Sequence, residues 1–413
     1  MRKIIASIDI DSDSIKFIIG EFCNKRLNIL SASKISNRRS SSEESTKEDI
    51  IASIREAIKE ASNRIGVDIK KVLLGLDTRN LKLVKSVAEV EIKSEDHIIT
   101  HDDINDVINQ SSKSKIPSNY ALVGTIPVEF LIGEEKPIKN PLGKESEKLS
   151  VKTILALSPK DYIQGMLELL EQSGVRVVDI VLNPLGDYYM FKDTQTSKSV
   201  GSVINLGYDV SMVSVFNRGI LTNTKCIGAG SKSVIKDIAY IYKIDFESAK
   251  GIYNDLALAS SRLANANDYR VVTNLEGKSI QINQYEVSEI AATRIGDILE
   301  ELKKQINILT KKQISYIIVT GGLTELKDFS IILEKVMGKD VVLGDVKTIG
   351  ARDNNFSSSI GIIKYYNEKC ELIGKNTSVL SESEIDKMNN GGSEESDTHE
   401  SLFGKVFGYF FES

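Results

Sequence analysis

The chain has 413 residues, of which 41% are apolar and 27% charged, and a formal net charge of −5. That is enough apolar material for roughly two to four packed domains, which excludes a mainly disordered chain. The mild acidity, with no Lys/Arg stripe interleaved with aromatic residues, excludes the usual footprint of a nucleic-acid binder.

In chain order, the N-terminal MRKIIASIDID turns acidic before a signal-peptide apolar region develops. No run of about 18 apolar residues follows anywhere, so neither export nor a membrane-crossing helix is expected. Residues 4–20 (IIASIDIDSDSIKFIIG) predict a strand, a short polar turn and a second strand. Ile50, Ile51, Ile54, Ile58, Ala61 and Ile65 share one face of a helix that stops at Gly66, and Lys71 to Leu76 predicts a buried strand. Residues 86–92 and 151–157 alternate as strands do, and Thr100 with Asp103 forms a capping box for a helix through Ile104, Val107 and Ile108. His97 and His101 lack a third ligand in spacing and precede or begin that helix, so they are expected at the surface and no metal site is assigned. Cys23, Cys226 and Cys370 are far apart and read as core thiols of a reducing compartment. No Ser/His/Asp or Cys/His constellation stands out, so no catalytic residue is assigned.

The first pattern then recurs. Residues 202–218 (SVINLGYDVSMVSVFNR) again give strand, polar turn at Gly207 to Asp209, and strand. Two such halves facing each other across a cleft would hold a polyphosphate between the backbone amides of their turns. Residues 314–328 (ISYIIVTGGLTELKD) predict a strand ending in Gly321 and Gly322, then a helix with Thr324 and Glu325 in its first turn. Paired glycines there allow a ligand close to the backbone, although Gly-Gly is also common as a simple turn. Residues 381–400 (SESEIDKMNNGGSEESDTHE) hold too few apolar residues to fold alone. Beyond them Leu402, Phe403, Val406, Phe407 and Phe410 fall on one side of a helix, predicting a segment that lies in a membrane surface or docks on a partner. The alternative is a C-terminal helix folded back on the body.

The order hairpin, hairpin, Gly-Gly turn resembles the actin, Hsp70 and sugar-kinase superfamily. Residues 124–143 (GTIPVEFLIGEEKPIKNPLG), 226–239 (CIGAGSKSVIKDIA), 319–322 and 356–365 (FSSSIGIIKY), with the amphipathic tail, are similar to blocks of the bacterial cell-division FtsA family. The resemblance implies an α/β, actin-like (ribonuclease H-like) duplicated fold with an insertion called 1C. It implies subdomain 1A at 1–82 and 158–196, 1C at 83–157, 2A at 197–229 and 286–370, and 2B at 230–285. A flexible, disordered linker would occupy 371–400 and a membrane-targeting helix 401–413. It further implies a cytoplasmic protein, peripheral on the inner face of the plasma membrane, that polymerises and anchors FtsZ. The FtsZ C-terminal tail would bind 2B near Arg294, Lys303 and Lys304, and 1C would contact neighbouring protomers and other division proteins. Those three residues read equally well as a solvated helix face. Two other classes stay open: an actin-like scaffold of pilus assembly, and a small-molecule kinase of the same superfamily.

By the same resemblance, ATP with Mg would lie against Asp9, Ser12, Asn205, Gly207, Gly230, Gly321 and Gly322. The sequence departs from the family there. A first loop similar to D-I-G-T-S-K is replaced by Asp9 to Ser14, with Asp11 at the glycine and Asp13 added. Each added carboxylate repels a phosphate by roughly 3 kcal/mol at about 5 Å and an effective dielectric near 20. In the second loop Asn205 replaces a carboxylate, and Tyr208 places a ring where bare backbone is expected. Hydrolysis is therefore expected to be absent or slow. For the tail, five large apolar side chains give about 8–15 kcal/mol on burial, much of it cancelled by ordering the segment. Lys405 is the one cation between Ser401 and Ser413, so lipid binding should depend on many tails held in one polymer.

Overall fold

Two five-stranded sheets organise the chain, each an antiparallel meander of three strands extended by two parallel ones. This is a computed structural model, and it describes residues 2–37, 45–113, 116–133 and 136–390. The first part runs β1 (Lys3–Ile10), β2 (Ser14–Cys23), β3 (Arg26–Ser36), α1 (Lys47–Ile65) and β4 (Lys71–Leu76). An inserted unit follows: β5 (Lys82–Glu91), α2 (His101–Ser111), β6 (Tyr120–Ile132) and β7 (Lys148–Pro159). The chain returns through α3 (Lys160–Gln172), β8 (Arg176–Leu182) and α4 (Asn183–Phe191). The second part holds β9 (Val200–Leu206), β10 (Ser211–Asn217), β11 (Ile220–Ile227), α5 (Ser231–Tyr242), α6 (Phe246–Leu256), β12 (Tyr269–Thr273) and β13 (Ser279–Asn283). It ends with α7 (Gln284–Leu309), β14 (Tyr316–Thr320), α8 (Phe329–Met337), β15 (Val341–Leu343), α9 (Ser357–Leu372) and α10 (Glu382–Asn390).

The sheets have the orders β3-β2-β1-β4-β8 and β11-β10-β9-β14-β15, so the second repeats the first with β9 in the place of β1 and β14 in that of β4. This is the duplicated actin-like plan. Ile4 to Ile10 form an almost unbroken apolar run because β1 is covered on both faces. On one face, α1 delivers Ile54, Ala57 and Ala61 to a core with Ile8 and Phe17. Thr46 and Asp49 cap that helix reciprocally, and Gly66, at φ +72°, ends it with its N–H on the Ser62 carbonyl. On the other face, α4 and α9 cross where glycines replace side chains. A Cβ on Gly361 would overlap the Gly186 backbone, so the two helices touch main chain to main chain.

The inserted unit is a three-stranded antiparallel sheet, β5-β7-β6, with α2 on one face and its own core of Ile92, Ile104, Val107, Phe130, Leu149 and Val151. Leu372 and Ile373, at the end of α9, pack on that core, and His101 Nδ1 lies 3.0 Å from the Leu372 carbonyl oxygen.

Two expectations are corrected here. The helix expected directly after Gly321 and Gly322 is a single 3₁₀ turn, Gly322–Glu325, and α8 starts only after Asp328 at φ +67°. Thr324 closes the turn by donating its hydroxyl to the Gly321 carbonyl at 2.7 Å. The linker expected at 371–400, read as lacking apolar residues from Ser381 on, is ordered to residue 390. Val379, Leu380 and Ile385 are buried against the β1 and α1 core, and Val379 donates its N–H to the Ile4 carbonyl at 2.7 Å. Too few apolar residues to build a core are enough to join one already made. The rest of the linker and the tail residues Leu402, Phe403, Val406, Phe407 and Phe410 lie outside the described residues. Among the described residues no helix is long and apolar enough to cross a membrane.

Candidate functional site

The β1-β2 and β9-β10 hairpins both reach α4, the first through Asp9 and Asn183 and the second through Asn205 and Asp187. In the first, the hairpin register sets Asp9 opposite Lys16, and the lysine folds over the turn. Its Nζ lies 3.3 Å from Asp9 Oδ2 and 2.5 Å from Asp11 Oδ2, with side-chain exposures of 11% for Lys16 and 6% for Asp9. The other Asp9 oxygen accepts from Asn183 Nδ2 of α4 at 2.9 Å. Burial and the Asp11 charge push Asp9 up to about 6, with Lys16 and Asn183 opposing. Burial alone would lower Lys16, but the Asp11 and Asp9 charges reverse this and hold it above its usual range. Burial, then Asp11, also raises Asp13. Asn37 ties the turn down, its N–H on the Asp13 carbonyl (2.7 Å) and its Nδ2 on that of Asp11 (2.8 Å). Ser12 Oγ, in the same turn, is buried without a hydrogen-bond partner among the described residues.

In the second turn, Asn205 donates from Nδ2 to Asp187 Oδ2 at 2.8 Å and to Ser358 Oγ at 3.1 Å. Asp187, on α4 and 1% exposed, also accepts from the Ser357 and Ser358 hydroxyls of α9, at 2.8 and 2.7 Å. One buried carboxylate thus ties α4, β9 and α9 together. Burial raises its pKa against the pull of those donors. Gly207 and Tyr208 direct their carbonyls at the start of α5 and accept from Ser231 N–H (3.1 Å) and Lys232 N–H (3.0 Å). They pass so close that a Cβ on Gly230 would overlap both carbonyls. The Tyr208 side chain, expected in the ligand's way, is instead packed into the α5, α6 and α7 core. The turn directs it inward, away from the opposing loop. Asp209 is paired with Lys232 at 3.1 Å.

At the third turn Gly321 has φ +101°, and a Cβ there would stand 2.5 Å from Asn205 Oδ1 and 2.6 Å from the Leu206 carbonyl oxygen. Only glycine meets both demands. Asn355 Oδ1 fills the space beside Gly322 and accepts from Lys34 Nζ of β3 at 2.9 Å, a link from the first half to the second.

Asn205, Gly207, Gly230 and Gly321 are therefore contiguous, and Asp9 reaches the same floor through Asn183 of α4. Lys16 and Asp187 were not singled out by sequence reasoning. Lys16 was accessible from the hairpin register; Asp187 was not, because its Ser357 and Ser358 partners lie far along the chain. A magnesium-bridged triphosphate fits this arrangement poorly. Asp9 and Asp11 already share Lys16 as a counter-ion, which leaves the turn with net negative charge, Asp209 is paired with Lys232, and the first amides of α5 are spent on loop carbonyls. On α7, Arg294 grips Asp237 with two hydrogen bonds (2.6 and 2.9 Å), and Lys303 donates to the Val336 carbonyl at 2.8 Å. Lys304 is exposed.

Residues 202–361 match the family described as "Cell division protein FtsA", and residues 79–156 match the "SHS2 domain inserted in FTSA". The chain is similar to Cell division protein FtsA of Bacillus subtilis, 23% identical over 380 residues that cover 91% of this chain and 86% of the relative. It is similar to that of Escherichia coli at 20% identity, covering 94% of each. Among solved structures, the PilM-PilN type IV pilus biogenesis complex gives a TM-score of 0.55 at 13% identity, over 86% of this chain and 96% of that one. MreB5 of Spiroplasma citri bound to ADP gives 0.52 at 9% identity, over 90% and 99%. At those identities the likeness concerns the actin-like fold alone.

Proposed function

The chain belongs to the FtsA cell-division family, and from that premise we propose that it is a peripheral membrane protein that self-assembles and tethers FtsZ to the inner face of the plasma membrane. The observation that carries the reading is an actin-like body interrupted between β4 and α3 by the SHS2-type unit. The apolar spacing of Leu402, Phe403, Val406, Phe407 and Phe410 supplies the anchor. In this reading the body divides into subdomains 1A, 1C, 2A and 2B as the resemblance implies, and 1C meets other division proteins. The FtsZ tail, an acidic peptide, docks along α7. There Lys304 is its first cation, and Arg294 and Lys303 engage only by exchanging their intramolecular partners.

For the cleft we propose weak nucleotide binding without turnover. Lys16 supplies from within the chain the positive charge that a bound cation would bring, and Asn205 is committed to Asp187. Among the described residues Asp9 and Asp11 are committed to Lys16 and Asp187 to Asn205, Ser357 and Ser358, which weighs against a hydrolytic or kinase role.

The test is a fluorescent fusion with and without residues 401–413, paired with flotation on liposomes. Loss of membrane signal on truncation is expected. Unchanged membrane localisation would favour the pilus-scaffold class, and equal liposome binding by an assembly-blocked variant would count against anchoring by many tails.

A further inference from the structure

The two edges of the inserted sheet are treated differently. β6 carries register shifts at Leu122/Gly124 and Pro127/Glu129, contains a proline, and is bridged through Phe130 to Ile138. Shifts and prolines of this kind blunt an edge against pairing. β5, at the other edge, runs from Lys82 to Glu91 against β7 in unbroken register, with neither shift nor proline. Among the described residues no backbone group of another element bonds to its outer side. Large apolar side chains stand on it in solvent, Val87 at 65% exposure and Val84 at 41%.

The charges on β5 are divided by position. Lys82 and Lys85 occupy its first half, Glu89 and Glu91 its second. A strand so patterned is complementary to itself when run antiparallel. A two-fold axis normal to the sheet keeps like faces together, so one residue must sit opposite its own copy. With Val87 on the axis, Lys85 of each copy faces Glu89 of the other, and Val84 faces Val90, each contact occurring twice. Moving the axis to Ser86 sets Lys85 against Val87 and Leu83 against Glu89. Moving it to Ala88 keeps a charge match, Lys85 with Glu91, but sets the exposed Val87 against Glu89. Burial of Val87, the most exposed apolar residue of the strand, therefore selects its own position for the axis, and the mismatch left there, Leu83 against Glu91, falls at the strand ends. Glu89 already accepts from Lys148 (3.1 Å) and Ser150 (2.8 Å), and an ionised carboxylate has room for a further donor. Lys85 is exposed and has no ion-pair partner among the described residues.

We infer that β5 is a two-fold docking edge for a second copy of this chain, joining two inserted sheets into one. This goes beyond the tethering role. An isologous contact closes on itself, so it links copies side by side and is distinct from any head-to-tail contact that extends a filament.

The test uses the full chain. V87C should form a covalent dimer with a short bismaleimide, whereas the parent, with Cys23, Cys226 and Cys370, and V342C at another exposed edge should not. K85E sets like charges opposite each other twice and should weaken self-association about tenfold by sedimentation, with an unchanged circular dichroism spectrum. K85E/E89K should restore it. K85E with parental self-association, a double variant that stays dissociated, or V87C that links no faster than V342C would each overturn the inference.

Discussion

Replacing Lys16 with methionine removes the cation that, among the described residues, Asp9 and Asp11 share, while keeping the length of the side chain. At an effective dielectric near 20, the 3.3 and 2.5 Å pairs represent gross attractions of about 5 and 7 kcal/mol. Desolvation offsets most of this, and breaking a buried pair typically costs about 3–5 kcal/mol. We expect Lys16→Met to lose that amount at pH 8, measured by urea unfolding followed by circular dichroism. The loss should be smaller at pH 5. Asp9 is pushed up to about 6 in the parent, so at pH 5 it is already mainly protonated and little of its attraction to Lys16 remains to be lost. Without the lysine its folded pKa rises further. A carboxyl raised on folding favours the folded state below its unfolded pKa, near 4, and that advantage disappears as pH climbs through the folded value. The penalty should therefore grow between pH 5 and pH 8. Millimolar Mg²⁺ should recover part of it in the variant, where two carboxylates stand unpaired, and leave the parent unmoved. A penalty below about 1 kcal/mol, or one equal at the two pH values, would refute the view that Lys16 is the resident counter-ion of the cleft.

Other outcomes follow from the same floor. Asn205→Asp places a second carboxylate against buried Asp187, and Asp187→Asn leaves three donors facing an amide; each should cost about 2–4 kcal/mol in chemical unfolding. Because the pair could simply exchange roles, the double variant should return to within about 1 kcal/mol of the parent. Gly321→Ala, at φ +101° and against Asn205 and Leu206, should cost about 2–4 kcal/mol. Gly66→Ala, at φ +72° with open space around it, should cost about 1 kcal/mol in the same assay.

What the sequence disclosed was local. Both hairpins, the strand at Lys71 to Leu76, the Gly66 stop and the Thr100 to Asp103 cap depend on residues a few positions apart, and the periodicities of strand and helix record them. What it concealed was set by tertiary contact. Residues 379–385 carry too little apolar surface to signal a folded segment, yet they dock on a core assembled from β1 and α1. Tyr208 could be placed in the turn, but whether its ring met the ligand or the interior depended on α5, α6 and α7. The residues of the two turns could be named from the sequence, but the charges that meet there could not. Asp11 and Asp13 were weighed against a phosphate without Lys16, which the register of their own hairpin sets over Asp9 and Asp11.

A charge supplied by the chain itself acts at an effective concentration no free ligand matches. Lys16 closes its own hairpin turn, Asn183 ties that turn to α4, Lys34 links β3 to Asn355, and Asp187 joins α4 to β9 and α9. Nucleotide arriving from solution would have to displace these contacts while offering negative charge to a floor that already holds Asp9, Asp11 and Asp13. A ligand shifts a conformational equilibrium only by its differential affinity for the two states. Under the proposed weak binding that difference is small, and nucleotide is then not the main switch of this molecule. On the same proposals, control of assembly falls to groups that differ between free and assembled copies, and the unbroken, self-complementary edge of β5 is one that would change its solvent exposure on pairing.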